Sequence, residues 1–287
     1  MFGKEEMMGK SRWRGIWEMF AALVFYDLVT TVVMMVWTDG AALAVQGMSA
    51  LVTGAVLSFL YIRRKENGVR AMNRKGQMNH QQEWLSGWTE QADHQAEQES
   101  ECIGICWRQA NLRTIWQLLS LVALGISLSL SINGLIDLTN LKSIFPGYRQ
   151  TAQAIAAPPL GLQILTAGVV IPWTEELIFR GFGFTELRRS HSFWTAAGIS
   201  AFAFGLYHGS VVQGLYAAVI GLFLAWIMEK KNRLTAPWLV HVSANLTSVL
   251  GGNVVKLNEW TVGVSILFLA ILVCAMEKSS RLADTHD

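Results

Sequence analysis

Eight apolar stretches, roughly 15–37, 41–62, 114–138, 158–184, 193–208, 210–229, 234–251 and 259–276, dominate the chain. A helix needs about 20 apolar residues to span a bilayer. Lipid offers the backbone no hydrogen-bond partner, so a spanning segment is a helix or part of a closed barrel. Long apolar runs without period-2 alternation point to helices. The chain therefore reads as all-α, a polytopic membrane helix bundle with about eight transmembrane helices. The fifth and seventh stretches are short enough to be half-buried helices instead of full spans. Of the 287 residues 52% are hydrophobic and 15% charged, against about 25% charged in an ordinary soluble domain.

The basic residues are distributed unevenly. With eight spans, both termini and the loops 63–113, 185–192 and 230–233 share one side, and they hold 19 of the 23 Lys and Arg. The other side holds three, Lys142, Arg149 and Lys256. By the positive-inside rule both termini are cytosolic, in a multi-pass integral membrane protein (of the plasma membrane, if the host is bacterial). The first apolar run is too long for a cleavable signal and lacks a small-residue cleavage site. A formal net charge of +2 suggests no nucleic acid partner. Membrane lipids are the expected surroundings.

Five regions follow: a transmembrane hairpin over 1–62, a cytosolic polar loop over 63–113, a third helix and outer loop over 114–157, a polar-studded core over 158–251, and a last helix with its tail over 252–287. The loop opens basic, suited to anionic headgroups, and turns acidic, as a surface helix or a linker. His80 and His94 there read as solvated residues. Cys102 and Cys106, spaced C-x3-C, lack a second pair for zinc, and with Cys274 make an odd set of thiols.

Charges inside a bilayer are costly unless they are paired or face water. The stretch TEELIFRGFGF carries three. Glu176 and Arg180 are four apart, with Glu on the favoured N-terminal side of an intrahelical pair. Glu175 points elsewhere and has no partner on its own helix. Pro172 removes a backbone donor just upstream and is expected to kink or restart the helix. An unpaired carboxylate at a broken helix suggests a water-filled cavity, whereas a structural reading makes the trio a lock between helices. In FGLYHG, Phe204 and His208 are four apart at a helix end. In APWLVHVSANLTS, His241 and Asn245 share a face that Trp238 and Ser248 extend. Two such donors suit a developing oxyanion, and they equally suit interhelical hydrogen bonding.

EELIFR, FGLYH and HVSAN together resemble, in order, the three motifs of the CPBP family: type II CAAX prenyl endopeptidases, bacteriocin-processing enzymes and Abi-type proteins. The resemblance spans roughly 158–251 and makes that region a CPBP-like catalytic core. It implies an intramembrane endopeptidase acting on membrane-associated proteins or peptides without a covalent intermediate. Glu175 is then the general base for a water that His208 helps hold, and His241 and Asn245 stabilise the oxyanion. Glu176, Arg180 and Phe204 support the site structurally. No metal or other cofactor is expected; the alternative is a zinc ion on Glu175, His208 and His241, which leaves Asn245 without a role. Prenylated CAAX proteins, bacteriocin leaders and signalling-peptide precursors all suit such a site. A non-catalytic protein of the same fold, for bacteriocin immunity or partner scaffolding, is the competing reading. A proton-coupled transporter is disfavoured by the lack of duplicated halves. One distance fits poorly: His208 lies about 22 Å along its helix from the cytosolic end, but Glu175 only about 13 Å along its own. Gly198 and Gly205 are the residues that could permit a bend or a close approach.

Overall fold

A computed structural model describes residues 13–37, 42–83, 99–139, 141, 145–208, 210–251 and 258–284, without side chains for 68–113, 146, 148, 149 and 279–284. The readings of His80, His94, Cys102 and Cys106 as side chains thus lie outside the described residues. Those residues form helices and no strands. We number the helices α1 (Arg14–Val36), α2 (Ala42–Glu83), α3 (Glu99–Leu138), α4 (Pro146–Ala156), α5 (Leu160–Arg188), α6 (Phe193–Tyr207), α7 (Val211–Lys231), α8 (Thr235–Gly251) and α9 (Glu259–Asp284). Six stretches are long and apolar enough to cross a membrane: α1, Ala42–Asn67 of α2, Thr114–Leu138 of α3, α5, α7, and Glu259–Lys278 of α9. The protein is a polytopic helical membrane protein. The two stretches that read as short are α6 and α8, with 15 and 17 residues.

Two compact units divide the chain, Met1–Ser58 with Leu121–Asp287, and Phe59–Ser120. In the second, residues 59–83 and 99–120 are helical, so much of the segment read as a polar loop continues α2 and α3. Within the first unit, ion pairs gather one end of four helices. Glu186 near the end of α5 meets Arg14 of α1 at 3.5 Å and Arg189 at 3.1 Å. Arg188 meets Glu229 near the end of α7 at 2.8 Å, and Lys230 meets Glu277 of α9 at 3.1 Å. Pairs of this kind contribute little stability singly, but they fix which helix ends lie together. Exposed Trp13, Trp17 and Trp194 lie near this end and exposed Trp37 and Trp260 near the other, as aromatic belts do.

Small residues bring the helices close, the usual means of packing in lipid. A Cβ on Gly205 of α6 would stand 2.6 Å from the Gly214 carbonyl oxygen of α7. A Cβ on Gly125 of α3 would collide with the Val240 carbonyl of α8. Gly198, the other candidate for close packing, has open space where its Cβ would be. Buried hydroxyls tie further pairs: Thr174 donates to the Ala50 carbonyl at 2.8 Å and Ser200 to the Phe179 carbonyl at 2.7 Å.

Candidate active site

The site is built on α5, whose winding changes along its length. Residues Ile164–Val170 and Leu177–Phe184 are π-helical, and Ile171–Glu176 between them is α-helical. At Pro172 the helix is not interrupted, since it runs on from Leu160 to Arg188, but its winding restarts as α-helix at Ile171. A wider turn ahead of the proline accommodates the missing donor, since π-bulges relax the backbone ladder without ending it. Two carbonyls of that wider turn receive side chains of α8. Asn245 Nδ2 donates to the Ala167 oxygen at 2.9 Å, and Trp238 Nε1 to that of Val169 at 3.3 Å.

Glu176 and Arg180 are fully buried and paired at 3.2 Å, as their spacing implies. Arg180 also donates to the Gly221 carbonyl of α7 at 3.1 Å, and its guanidinium lies 4.6 Å from the centre of the Phe204 ring. A desolvated cation over an aromatic face is attracted by about 2 kcal/mol. The same Glu176 oxygen accepts from His241 Nδ1 at 2.8 Å. That contact spans 65 residues of sequence, and no spacing signal could have disclosed it. With Nδ1 held, the ring turns Nε2 toward Glu175 Oε2 at 3.6 Å. Glu175 thus lacks a partner on its own helix but faces an imidazole from α8.

Phe204 separates and steadies the two histidines. Its ring meets His208 edge-on at 4.7 Å and His241 at 5.7 Å. His208 caps α6, its Nδ1 2.8 Å from the Phe204 carbonyl oxygen. The mismatch in depth disappears because α5 continues to Arg188. Glu175 then lies about 20 Å from the Arg188 end of its helix, close to the roughly 22 Å that separates His208 from the start of α6.

Glu175, His208, His241 and Asn245 all line one cavity of about 390 Å³, together with Phe204. Its volume falls within the usual range for ligand sites, about 300–1,000 Å³. Tyr26, Ser129, Asn133, Tyr207, Gln213 and Ser248 add polar atoms to the wall, and of these only Ser248 carried a sequence signal. Asn133 donates to Ser248 Oγ at 2.9 Å, and Ser129 Oγ lies 3.0 Å from it. The face of α8 read as either oxyanion donors or interhelical glue therefore does bonding work along its whole length, while His241 and Asn245 also border the cavity. Among the described residues no group of three or more His, Cys, Asp or Glu is disposed to hold a metal ion. Glu176 and the Phe204 carbonyl engage one nitrogen of each histidine.

Residues 157–247 match the family described as Type II CAAX prenyl endopeptidase Rce1-like. That stretch holds EELIFR, FGLYH and HVSAN, and the match agrees with the resemblance they carry. UPF0177 protein YxdF of Lactococcus lactis subsp. lactis (strain IL1403) is similar to this chain, 25% identical over 150 residues that take in 52% of this chain and 81% of that protein. "Putative membrane peptidase YdiL" of Bacillus subtilis (strain 168) is 29% identical over 89 residues, 31% of this chain and 36% of that protein. No solved structure matches the chain.

Proposed function

From a core whose residues 157–247 match the Type II CAAX prenyl endopeptidase Rce1-like family, we propose that this protein is a membrane-embedded endopeptidase that hydrolyses membrane-associated proteins or peptides. The observation that supports this best is the common cavity wall formed by Glu175, His208, His241 and Asn245. In this reading Glu175 takes a proton from a water that the free Nε2 of His208 helps to hold. The water oxygen attacks the scissile carbonyl carbon. Negative charge gathers on the carbonyl oxygen, where His241 Nε2–H and the second amide hydrogen of Asn245 donate to it. The C–N bond then breaks as Glu175 returns the proton to the leaving nitrogen, giving one carboxylate and one amine per water consumed. No step passes through a metal.

Comparative peptidomics tests the proposal. Membranes from cells carrying the wild type are expected to contain cleavage products that are absent with Glu175→Gln, at equal protein abundance. Identical peptide sets in the two would refute the peptidase reading.

A further inference from the structure

The cavity lies off-centre along the bundle. Taking its chemistry from the peptidase reading above, we infer that the site is reached from the side opposite the basic loops, and that its substrates are peptide segments exposed on that non-cytosolic side. The basic end is fixed by the pairs that join Arg14, Glu186, Arg188, Glu229, Lys230 and Glu277. It belongs to the side that holds 19 of 23 Lys and Arg, the cytosolic one by the positive-inside rule.

Along α5, Glu175 stands about 20 Å from that end. Along α8, His241 is the lining residue nearest to it. These two form the floor. The other walls rise toward the opposite helix ends: Leu43 and Gln46 in the first turns of α2, Gln213 in the first turn of α7, and Ser248 in the last turn of α8. Thr151 and Ile155 come from α4, which connects α3 to α5 at that same end. On the basic-end side of the floor the helices are packed against one another. Glu176, Arg180, Leu177, Phe179 and Leu224 are all 0% exposed there. A segment that remained in the cytosol would have to pass through this packing, whereas the lining residues of α2, α4, α7 and α8 lie at the opposite helix ends.

That wall suits a peptide backbone. Gln213 is 7% exposed, and its Oε1 is buried without a hydrogen-bond partner. Which end of an amide is oxygen follows from its partners, so Gln213 can present either a donor or an acceptor. A buried amide left unpaired is costly, and a substrate N–H or C=O passing toward the floor satisfies it. The ledge of Asn133, Ser129 and Ser248 offers further polar atoms on the way.

The test uses the full chain in sealed cells, with Cys102, Cys106 and Cys274 changed to Ser and one new cysteine at a time. Ser248→Cys probes the cavity, with Gln46→Cys as a second position should the first lower abundance. Arg189→Cys probes the basic end. A membrane-impermeant thiol reagent applied outside is expected to modify the cavity cysteine and to reach Arg189→Cys only after permeabilisation. Modification of the cavity cysteine only after permeabilisation, or of Arg189→Cys alone in sealed cells, overturns the inference. Labelling needs no turnover, so it stands apart from the peptidase reading. A second arm does need turnover: a membrane-anchored reporter carrying candidate cleavage segments on its outer or its cytosolic side. Cleavage of the outer segment alone is expected, and cleavage of the cytosolic one alone overturns the inference while keeping the peptidase. Outer labelling with neither reporter cut, and no cleavage products in the peptidomics, removes the peptidase and leaves the access route.

Discussion

Glu175 borders the cavity, whereas its neighbour Glu176 is sealed in protein, holding Arg180 at 3.2 Å and His241 at 2.8 Å. Glu175→Gln is therefore expected to abolish cleavage while leaving abundance and melting temperature near wild type. Glu176→Gln leaves a buried guanidinium without its counter-charge and is expected to lose about 3–5 kcal/mol, seen as lost abundance and a lowered melting point. If the aggregating variant proves to be Glu175→Gln, the two roles are exchanged. Asn245 serves both the Ala167 carbonyl and, as proposed, the oxyanion. Removing one oxyanion donor typically costs about 2.7–4 kcal/mol, or 10²–10³ in rate. Asn245→Ala should slow turnover by about that factor with little change in KM. Metal content is open to direct measurement as well. One zinc per purified chain, lost in His241→Ala together with an activity that chelation removes and zinc restores, would replace the glutamate-activated water by a metal-bound one.

At the scale of the helices, much of the layout is legible in sequence because lipid enforces it. Apolar length marks the spans, and a four-residue spacing marks the Glu176–Arg180 pair. The local winding of α5 is not legible, since π turns are decided by what packs against the helix, here Trp238 and Asn245 bonding to the freed carbonyls. Pro172 alone suggests a break. The Glu176–His241 bond and the outer wall residues Gln213 and Asn133 are equally silent, because they depend on which helices become neighbours. The two glycines of α6 make the same point. Gly205 meets the backbone of α7, while Gly198 faces open space. Gly205→Val should force α6 and α7 apart and lower stability by about 1–3 kcal/mol, the usual effect of overpacking. Gly198→Ala should be neutral or stabilising by up to about 1 kcal/mol, through removal of backbone freedom. Thermal unfolding of both in the same detergent checks the contrast, and equal destabilisation of the two would refute the α6–α7 contact as its cause.

For the whole molecule, the number of traverses follows from which ends are tied together. Among the described residues six helices are long and apolar enough to span by themselves. Yet Arg188 at the end of α5 is bonded to Glu229 near the end of α7. Since α7 crosses, α6 must carry the chain back across first, although its 15 residues extend only about 22 Å. Glu277 of α9 is likewise bonded to Lys230 of α7, so α8 must return the chain before α9 crosses again. On that reasoning eight traverses are expected, two of them by the short helices α6 and α8. We therefore expect topology reporters inserted after residues 189 and 233, or fused after 287, to read as cytosolic, and reporters at 147 and 258 to read as external. Position 233 is the decisive one. If α6 and α8 both failed to cross, 287 would remain cytosolic but 233 would lie outside, carrying Lys230, Lys231 and Arg233 with it against the positive-inside rule. An external reading at 233 beside a cytosolic one at 189 would therefore reduce the bundle to six spans and break the end-to-end pairing on which the inferred outer access depends.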